Sequence, residues 1–426
     1  MSSSTLPNIS NEIVAVTPFD TPEDRFTTHK SRPVADSEIT IQVARTREQV
    51  LAFRPIWETL QTHPNTALDF YLETLNSLGG VLRPHVLLLS REEIPQSILV
   101  GRVDDAWLES RIGYKVIHRS RIRRLTVLHG GLLGDFCLSN ATALMQTLNG
   151  ELTRGEVDAV WFNCLRSDSA LRQAIGQCSG ALLADHFPER GVHWRAHLLG
   201  SYQKFLSGLT SKTRNNLRRH STRLIKAHGS NLDVKCLRNP EDLERIMNET
   251  EHIASQTYHR NLGVGFVKDT GTEHLIKLAL SQGRFRSYFL YLNQKPCAFW
   301  HGMLYGNVFF SGATGADPSY REFGVGTYLL MKIFEDLCNL GGVEVIDFGL
   351  GDAQYKKEYC DENWPESSLY LFAPTLRGLM LNLLRTPIMF ADTSARKILQ
   401  RLRLKENLKR TWRLHIEPEI GARAEK

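Results

Sequence analysis

At 426 residues the chain exceeds what one ordinary hydrophobic core organises, so two cores plus extensions are the default. Its 42% apolar and 23% charged content is globular, and no apolar run reaches the ~18 to 20 uncharged residues of a spanning helix. A net charge of +6 attracts phosphates or acidic glycans yet falls short of a dedicated nucleic-acid binder. The start, MSSSTLPNISNEIVAV, lacks a basic region and a continuous apolar run, which predicts residence in the cytosol. Seven scattered cysteines without a CxxC pair, and histidines without HExxH, predict reduced thiols and no metal.

In chain order, residues 1–37 are rich in Ser, Thr, Pro and Asp and predict an unordered tail. ITIQVA then reads as a strand, REQVLAFRPIWETLQTH as a helix, and FYLETLNSLGG as a second helix closed by glycine. HVLLLS and SILVGRVD are strands, and RLTVLHGGLLGD is a strand entering a glycine turn. NATALMQTLNGELTRG reads as a helix opened by an Asn cap, VDAVWFNCL as a buried strand, and WRAHLLG ends the half near Gly200. The second half opens with a basic helix, followed by the strand LDVKCL, the helices PEDLERIMNETEHIASQTYHR and TEHLIKLALSQG, and the strands RSYFLYL, KPCAFWHGMLY and NVFFSGATG. A glycine turn, the helix GTYLLMKIFEDLCNLGG and the strands VEVIDFG and SLYLFA complete it. Beyond Pro387 a basic amphipathic segment predicts a helix docked through Ile398, Leu402 and Leu404. The same element order in both halves predicts two domains, 38–200 and 201–387, with an extension over 388–426; no residue-level repeat is visible.

The stretch that carries chemistry is 307–359. A strand meets RxxGxG (Arg321, Gly324, Gly326), which leads into an apolar-striped helix and a second strand. Glycines let backbone N–H groups approach a pyrophosphate, and the helix N-terminus adds orphan donors and a positive dipole end. A Rossmann loop would need a third glycine, a P-loop GK[ST], and a kinase more than the DFG at 347–349.

The order strand, RxxGxG, helix, strand resembles motif A of the GNAT superfamily, where this loop grips the pyrophosphate of acetyl-CoA. More narrowly, GADPSYREFGVGTYLL with IDFGLGDAQYKKEY looks like the CelD/BcsL family of cellulose and exopolysaccharide biosynthesis acetyltransferases. SKTRNNLRRHSTRLIKAHG resembles the basic segment that opens the catalytic half in that family and in the related Fem-type transferases. The likeness covers about residues 201–370. It implies an α/β fold of tandem GNAT-like domains, each a mixed, mostly antiparallel sheet flanked by helices, with a first half that lacks RxxGxG. It also implies an acyl-CoA-dependent acyltransferase, with acetyl-CoA or another acyl-CoA as co-substrate and a glycan, glycolipid or amino-sugar acceptor.

On that resemblance the coenzyme would contact Gly312, Ala313, Thr314, Gly315, Arg321, Phe323, Gly324, Val325, Gly326 and Thr327. The oxyanion donor would be a backbone N–H near Gly312 to Gly315, and the acid for the leaving thiolate Tyr355. For the general base three residues stand open: mid-strand His301, and Asp347 and Asp352, whose burial beside a strand end would raise their pKa. Each has a structural reading too, as a core histidine or as turn-bonded carboxylates. Lys356 would hold an anionic acceptor or lie solvated, and Arg214 and Arg218 of the basic helix would bind anionic substrate or form a solvated face. Competing expectations are a Fem-like transferase using aminoacyl-tRNA, which the basic helix favours and the intact RxxGxG disfavours, and a non-catalytic GNAT shell of polysaccharide export. Nucleic acid is not expected as a partner, since no aromatic pattern interleaves the arginines. Peripheral contact with membrane-bound polysaccharide machinery at the inner face of the membrane is.

Overall fold

The computed structural model describes residues 27–30, 38–113, 115–257 and 265–401. The first half comprises β1 (Thr27–Lys30), β2 (Ile39–Ala44), α1 (Arg47–Ala52), α2 (Arg54–Leu60), α3 (Leu68–Ser77), β3 (Val81–Arg91), β4 (Ile94–Ile112), β5 (Lys115–Gly134), α4 (Leu138–Thr153), β6 (Ala159–Arg166), α5 (Ala170–Cys178) and β7 (Glu189–His197). The second comprises α6 (Tyr202–Gly208), α7 (Ser211–His228), β8 (Leu232–Leu237), α8 (Leu243–Ser255), α9 (Thr270–Ser281), β9 (Phe285–Leu292), β10 (Lys295–Tyr305), β11 (Val308–Ala316), α10 (Val325–Leu340), β12 (Val345–Leu350), α11 (Gln354–Tyr359), β13 (Glu362–Phe372) and α12 (Leu376–Arg401).

Local chemistry sets several boundaries differently from the sequence reading. The helix expected over Arg47–His63 is two, because Thr46 and Gln49 form a capping box for α1 and Pro55 opens α2 afresh at Phe53. The cap expected at Asn140 is Cys137; Asn140 lies buried inside the first turn, donating to the Asp135 carbonyl and accepting from Arg91. Thr27–Lys30, within the segment expected to be unordered, pairs antiparallel with β2; the rest of 1–37 lies outside the described residues. So do Leu402 and Leu404, whereas Ile398 is exposed rather than docked.

The thirteen strands of the described residues join one sheet in the order β1-β2-β3-β4-β5-β6-β13-β7-β12-β11-β10-β9-β8. Each half therefore gives its last strand to the other: β7 pairs antiparallel with β12, and β13 with β6. The two exchanged strands also pair with each other, which makes them the seam of the sheet. Apolar helices cover both faces. On one face α4 and α5 pack against Val127, Val160, Phe162 and Leu369, and α7 and α10 against Trp300, Phe309 and Phe348. On the opposite face Trp57 and Tyr71 pack over β3 and β4, and α8 and α9 over Phe289 and Phe299.

Among the described residues only two strand pairs are parallel, and both are short. β5 and β6 pair over Arg124–Val127 with Ala159–Phe162, and β11 and β12 over Val308–Phe310 with Val345–Asp347. Beyond each vertex the strands splay. Two residues past the vertex of the second strand sits a backbone with positive φ, Cys164 (52°) in β6 and Gly349 (63°) in β12, each beside a register shift against the exchanged strand. These bulges re-aim the strand and open the gap.

Candidate active site

The second-half splay carries the RxxGxG loop. Past Phe310, β11 pairs only with β10, so its other edge from Ser311 to Ala316 is unladdered, and Thr314 is exposed. A short 3-10 turn, Pro318–Phe323, then ends on Gly324, whose φ of 65° is left-handed and whose Cβ position lies 3.1 Å from the His220 ring. Both facts select glycine there. The helix α10 follows with no side-chain cap; its first bond runs from Tyr328 N–H to the Gly324 carbonyl, which leaves the amides of Val325, Gly326 and Thr327 ahead of the ladder. Nothing lies within 4 Å of a Cβ built on Gly326, so the helix start is open on that side. Arg321 is exposed, without a side-chain partner among the described residues, and Phe323 is half-buried beneath the loop. From α7, Arg223 donates to the carbonyl and carboxylate of Glu322, and His228 packs edge-on against Phe323 at 5.2 Å, so the basic helix is the floor of the loop. Free amides, a dipole end, a cation and an unpaired strand edge fit the diphosphate and arm of a coenzyme.

At the mouth of this splay Tyr355 lies edge-on against Trp300 of β10 (5.6 Å) and Phe348 of β12 (5.7 Å), spanning the gap, and burial pushes its phenol pKa up. Its hydroxyl has no hydrogen-bond partner among the described residues. His301, next to Trp300 on the strand, points to the other face. There it bonds Thr250 Oγ1 at 3.0 Å among Phe266, Phe285 and Phe299, and burial pushes it down to about 3. This is the placement of a neutral core histidine, sealed from the splay by the sheet.

The carboxylates differ from expectation. Asp352 is exposed rather than buried and is paired with Lys357 at 2.6 Å. Asp347 is buried at the splay vertex, and burial by itself would raise it; hydrogen bonds from His193 Nε2 (2.7 Å) and Arg195 Nε (2.8 Å) override this and hold it well below the usual carboxylate range. Lys356 is neither solvated nor presented to a ligand: its buried ammonium donates to the carbonyls of Phe348 (2.7 Å), Gly349 (3.2 Å) and Leu350 (2.9 Å), and burial lowers it to about 8. Arg214 turns back onto α6, donating to the carbonyls of Ser207 and Leu209 at its C-terminus, while Arg218 is exposed.

Asp347 belongs to a site that the sequence reading did not assemble. A cavity of about 600 Å³ lies along the seam and touches both splay vertices, Val127 and Phe162 in one half, Phe310 and Asp347 in the other. Its polar wall comes from the exchanged strands. His193 of β7 bridges Asp347 and Glu366, whose Oε1 is 3.1 Å from Nδ1. Burial would depress His193, but the two carboxylates raise it to about 9, so it is an imidazolium at neutral pH. Trp364 of β13 stacks on His193 (4.4 Å), donates to Glu366 (2.8 Å), and lies under the guanidinium groups of Arg195 and Arg166. His63 and His129 line the same cavity, and burial pushes both down, leaving them neutral. Glu366 is 4% exposed, and its Oε2 has no hydrogen-bond partner among the described residues.

His129, Cys164 and Glu366 bring their ligand atoms within 4.8 Å of one another, a set that could hold a metal ion. The neighbouring cations His193, Arg195 and Arg166 oppose one there. The signal for these residues was faint: polar side chains at alternating positions in HWRAH and WPE, which show a two-faced strand but not its partner.

With this geometry in place, residues 211–357 match the acetyltransferase (GNAT) domain family. This match makes the chain a transferase. No curated protein matches the chain. Among solved structures the crystal structure of FemX covers 80% of this chain and 100% of its own at 10% identity with a TM-score of 0.53, which shows a shared fold. A tandem GNAT protein from the clavulanic acid biosynthesis pathway aligns over 79% of this chain and 99% of its own (9% identity, TM-score 0.46). L-PGS from Bacillus licheniformis aligns over 80% and 96% (14% identity, TM-score 0.46).

Proposed function

We propose that the chain is an acyl-CoA-dependent acyltransferase with acetyl-CoA as donor, acting on an amine or hydroxyl of a glycan, glycolipid or amino-sugar precursor of the cell envelope, as in the CelD/BcsL family it resembles. The observation that carries this is that the seam cavity reaches Phe310 and Asp347, the last parallel pair before β11 and β12 splay towards the RxxGxG loop. The diphosphate binds the amides of Val325 to Thr327 with Arg321 beside them, and the pantetheine arm pairs with β11 along Gly312, Ala313, Thr314 and Gly315. A backbone N–H of that edge polarises the thioester carbonyl. The acceptor, entering through the seam, attacks the carbonyl carbon; the C–S bond breaks, and the thiolate takes a proton from Tyr355. Of the carboxylates, Glu366 has a free oxygen to receive the acceptor's proton, whereas both oxygens of Asp347 are engaged.

Calorimetric titration with acetyl-CoA tests the donor site. Gly326 is open in a regular first turn, so Gly326→Trp folds and fills the groove. Wild type should bind and the variant lose about tenfold or more in affinity. Absence of binding in both removes the proposal. The exposed Lys212, Arg218 and Arg219 favour a second reading, a Fem-like transfer from aminoacyl-tRNA; activity that is lost on ribonuclease treatment and indifferent to CoA would establish it.

A further inference from the structure

We infer that the outer face of α12 docks on an anionic lipid surface. An amphipathic helix normally turns its apolar stripe to the core; α12 buries Leu381 but turns most of its large apolar side chains outward. Its inner face holds the body through polar groups: Asn382 donates to the carbonyls of Leu182 and Ala184, Arg385 pairs with Asp185 at 2.8 Å, and Asp392 accepts from the Gly113 amide at 2.8 Å. Asn382, Arg385 and Asp392 are all buried. The outer face carries Leu376 (78% exposed), Met380 (53%), Leu383 (73%), Leu384 (47%), Phe390 (62%) and Ile398 (56%). Leu182 beside Asn382 (75%) and Ile112, Val116 and Ile117 at the β4–β5 hairpin tip beside Asp392 extend it. Single exposed apolar residues are unremarkable, but a stripe along a helix about 39 Å long is an interaction surface.

Charge selects the occupant. Asp392, the one acidic residue of α12, is buried and paired with Arg396, whereas Arg377, Arg396, Lys397 and the hairpin's Lys115 are exposed. The sequence from Arg401 to Arg413 adds six further basic residues against Glu406. A two-fold contact between copies would bring these cations together, whereas anionic head groups neutralise them while acyl chains take up the leucines. No helix among the described residues is long and apolar enough to cross a membrane, so α12 lies along the surface. A lipid-borne acceptor would then be presented to the same body that holds the seam cavity.

Co-sedimentation of the full chain with phosphatidylcholine vesicles, with and without phosphatidylglycerol, tests this. Wild type should partition at least tenfold more strongly onto the phosphatidylglycerol vesicles, and salt should weaken it. Leu383→Glu with Phe390→Glu, on exposed positions and checked for an unchanged thermal transition, should lose tenfold or more, and Lys115→Glu with Lys397→Glu should lose only the anionic preference. Equal binding to both vesicles, binding unaffected by the double glutamate variant, or a concentration-dependent dimer that this variant abolishes without any vesicle binding would overturn the inference.

Discussion

Asp347 shows how neighbours override burial at a single residue. Its burial alone would favour the neutral acid, yet His193 and Arg195 keep it charged, and it in turn helps lift His193 to about 9. The pH consequences have opposite signs. His193 is raised from 6.5, so its contribution is whole below pH 6.5 and is lost as pH rises through about 9. Asp347 is depressed from 3.8, so its contribution is whole above pH 3.8 and is lost as pH falls below it. Stability from this pair should therefore plateau between pH 4 and 6.5 and decline by pH 9. Asp347→Asn leaves Arg195 without its carboxylate and His193 with Glu366 alone, and should cost about 3 kcal/mol at pH 6, with a flatter alkaline decline. Urea unfolding at pH 6 and pH 9 reads both, and an unchanged midpoint would refute the network.

At the scale of the element, the loop between β11 and α10 is held by backbone conformation and by α7 rather than by its own sequence motif alone. Gly324→Ala forces an L-residue to φ 65° against His220 and should destabilise by about 1–2 kcal/mol while weakening acetyl-CoA binding. Gly326→Ala, in open helical geometry, should leave stability within about 1 kcal/mol. Thermal unfolding and calorimetry of the two variants separate the effects; equal losses in both would show that the left-handed turn is not what shapes the site. The RxxGxG loop was legible beforehand because it is local: turn, helix start and glycine pattern are adjacent in the chain. His301 and Lys356 were not, because which face of β10 meets the splay, and which carbonyls lie above α11, depend on partners far away in sequence.

Across the molecule, the strand exchange makes each half depend on the other. A fragment of residues 38–200 would carry β7 without either partner, β12 or β13, and leave β6 without β13, exposing three strand edges. It should show no cooperative unfolding transition, whereas the full chain should unfold with coincident circular dichroism and tryptophan fluorescence. A sharply melting fragment would contradict this. The repeated element order announced two related halves, since hydrophobic periodicity and turn residues are short-range signals. The exchange was hidden, because a strand's alternation reports two faces and says nothing of its neighbours. For that reason WRAHLLG read only as a half's end and SLYLFA only as a last strand, although the strands that contain them start earlier and supply His193, Arg195, Trp364 and Glu366 to the seam. The sequence by itself determined most of the elements, the tandem plan and the glycine turn that opens α10, all set by residues within a few positions of one another. The acid–base cluster, the cavity that joins the two vertices and the outward apolar face of α12 were decided only by the tertiary structure, because each is a meeting of side chains that long-range sheet pairing alone brings together.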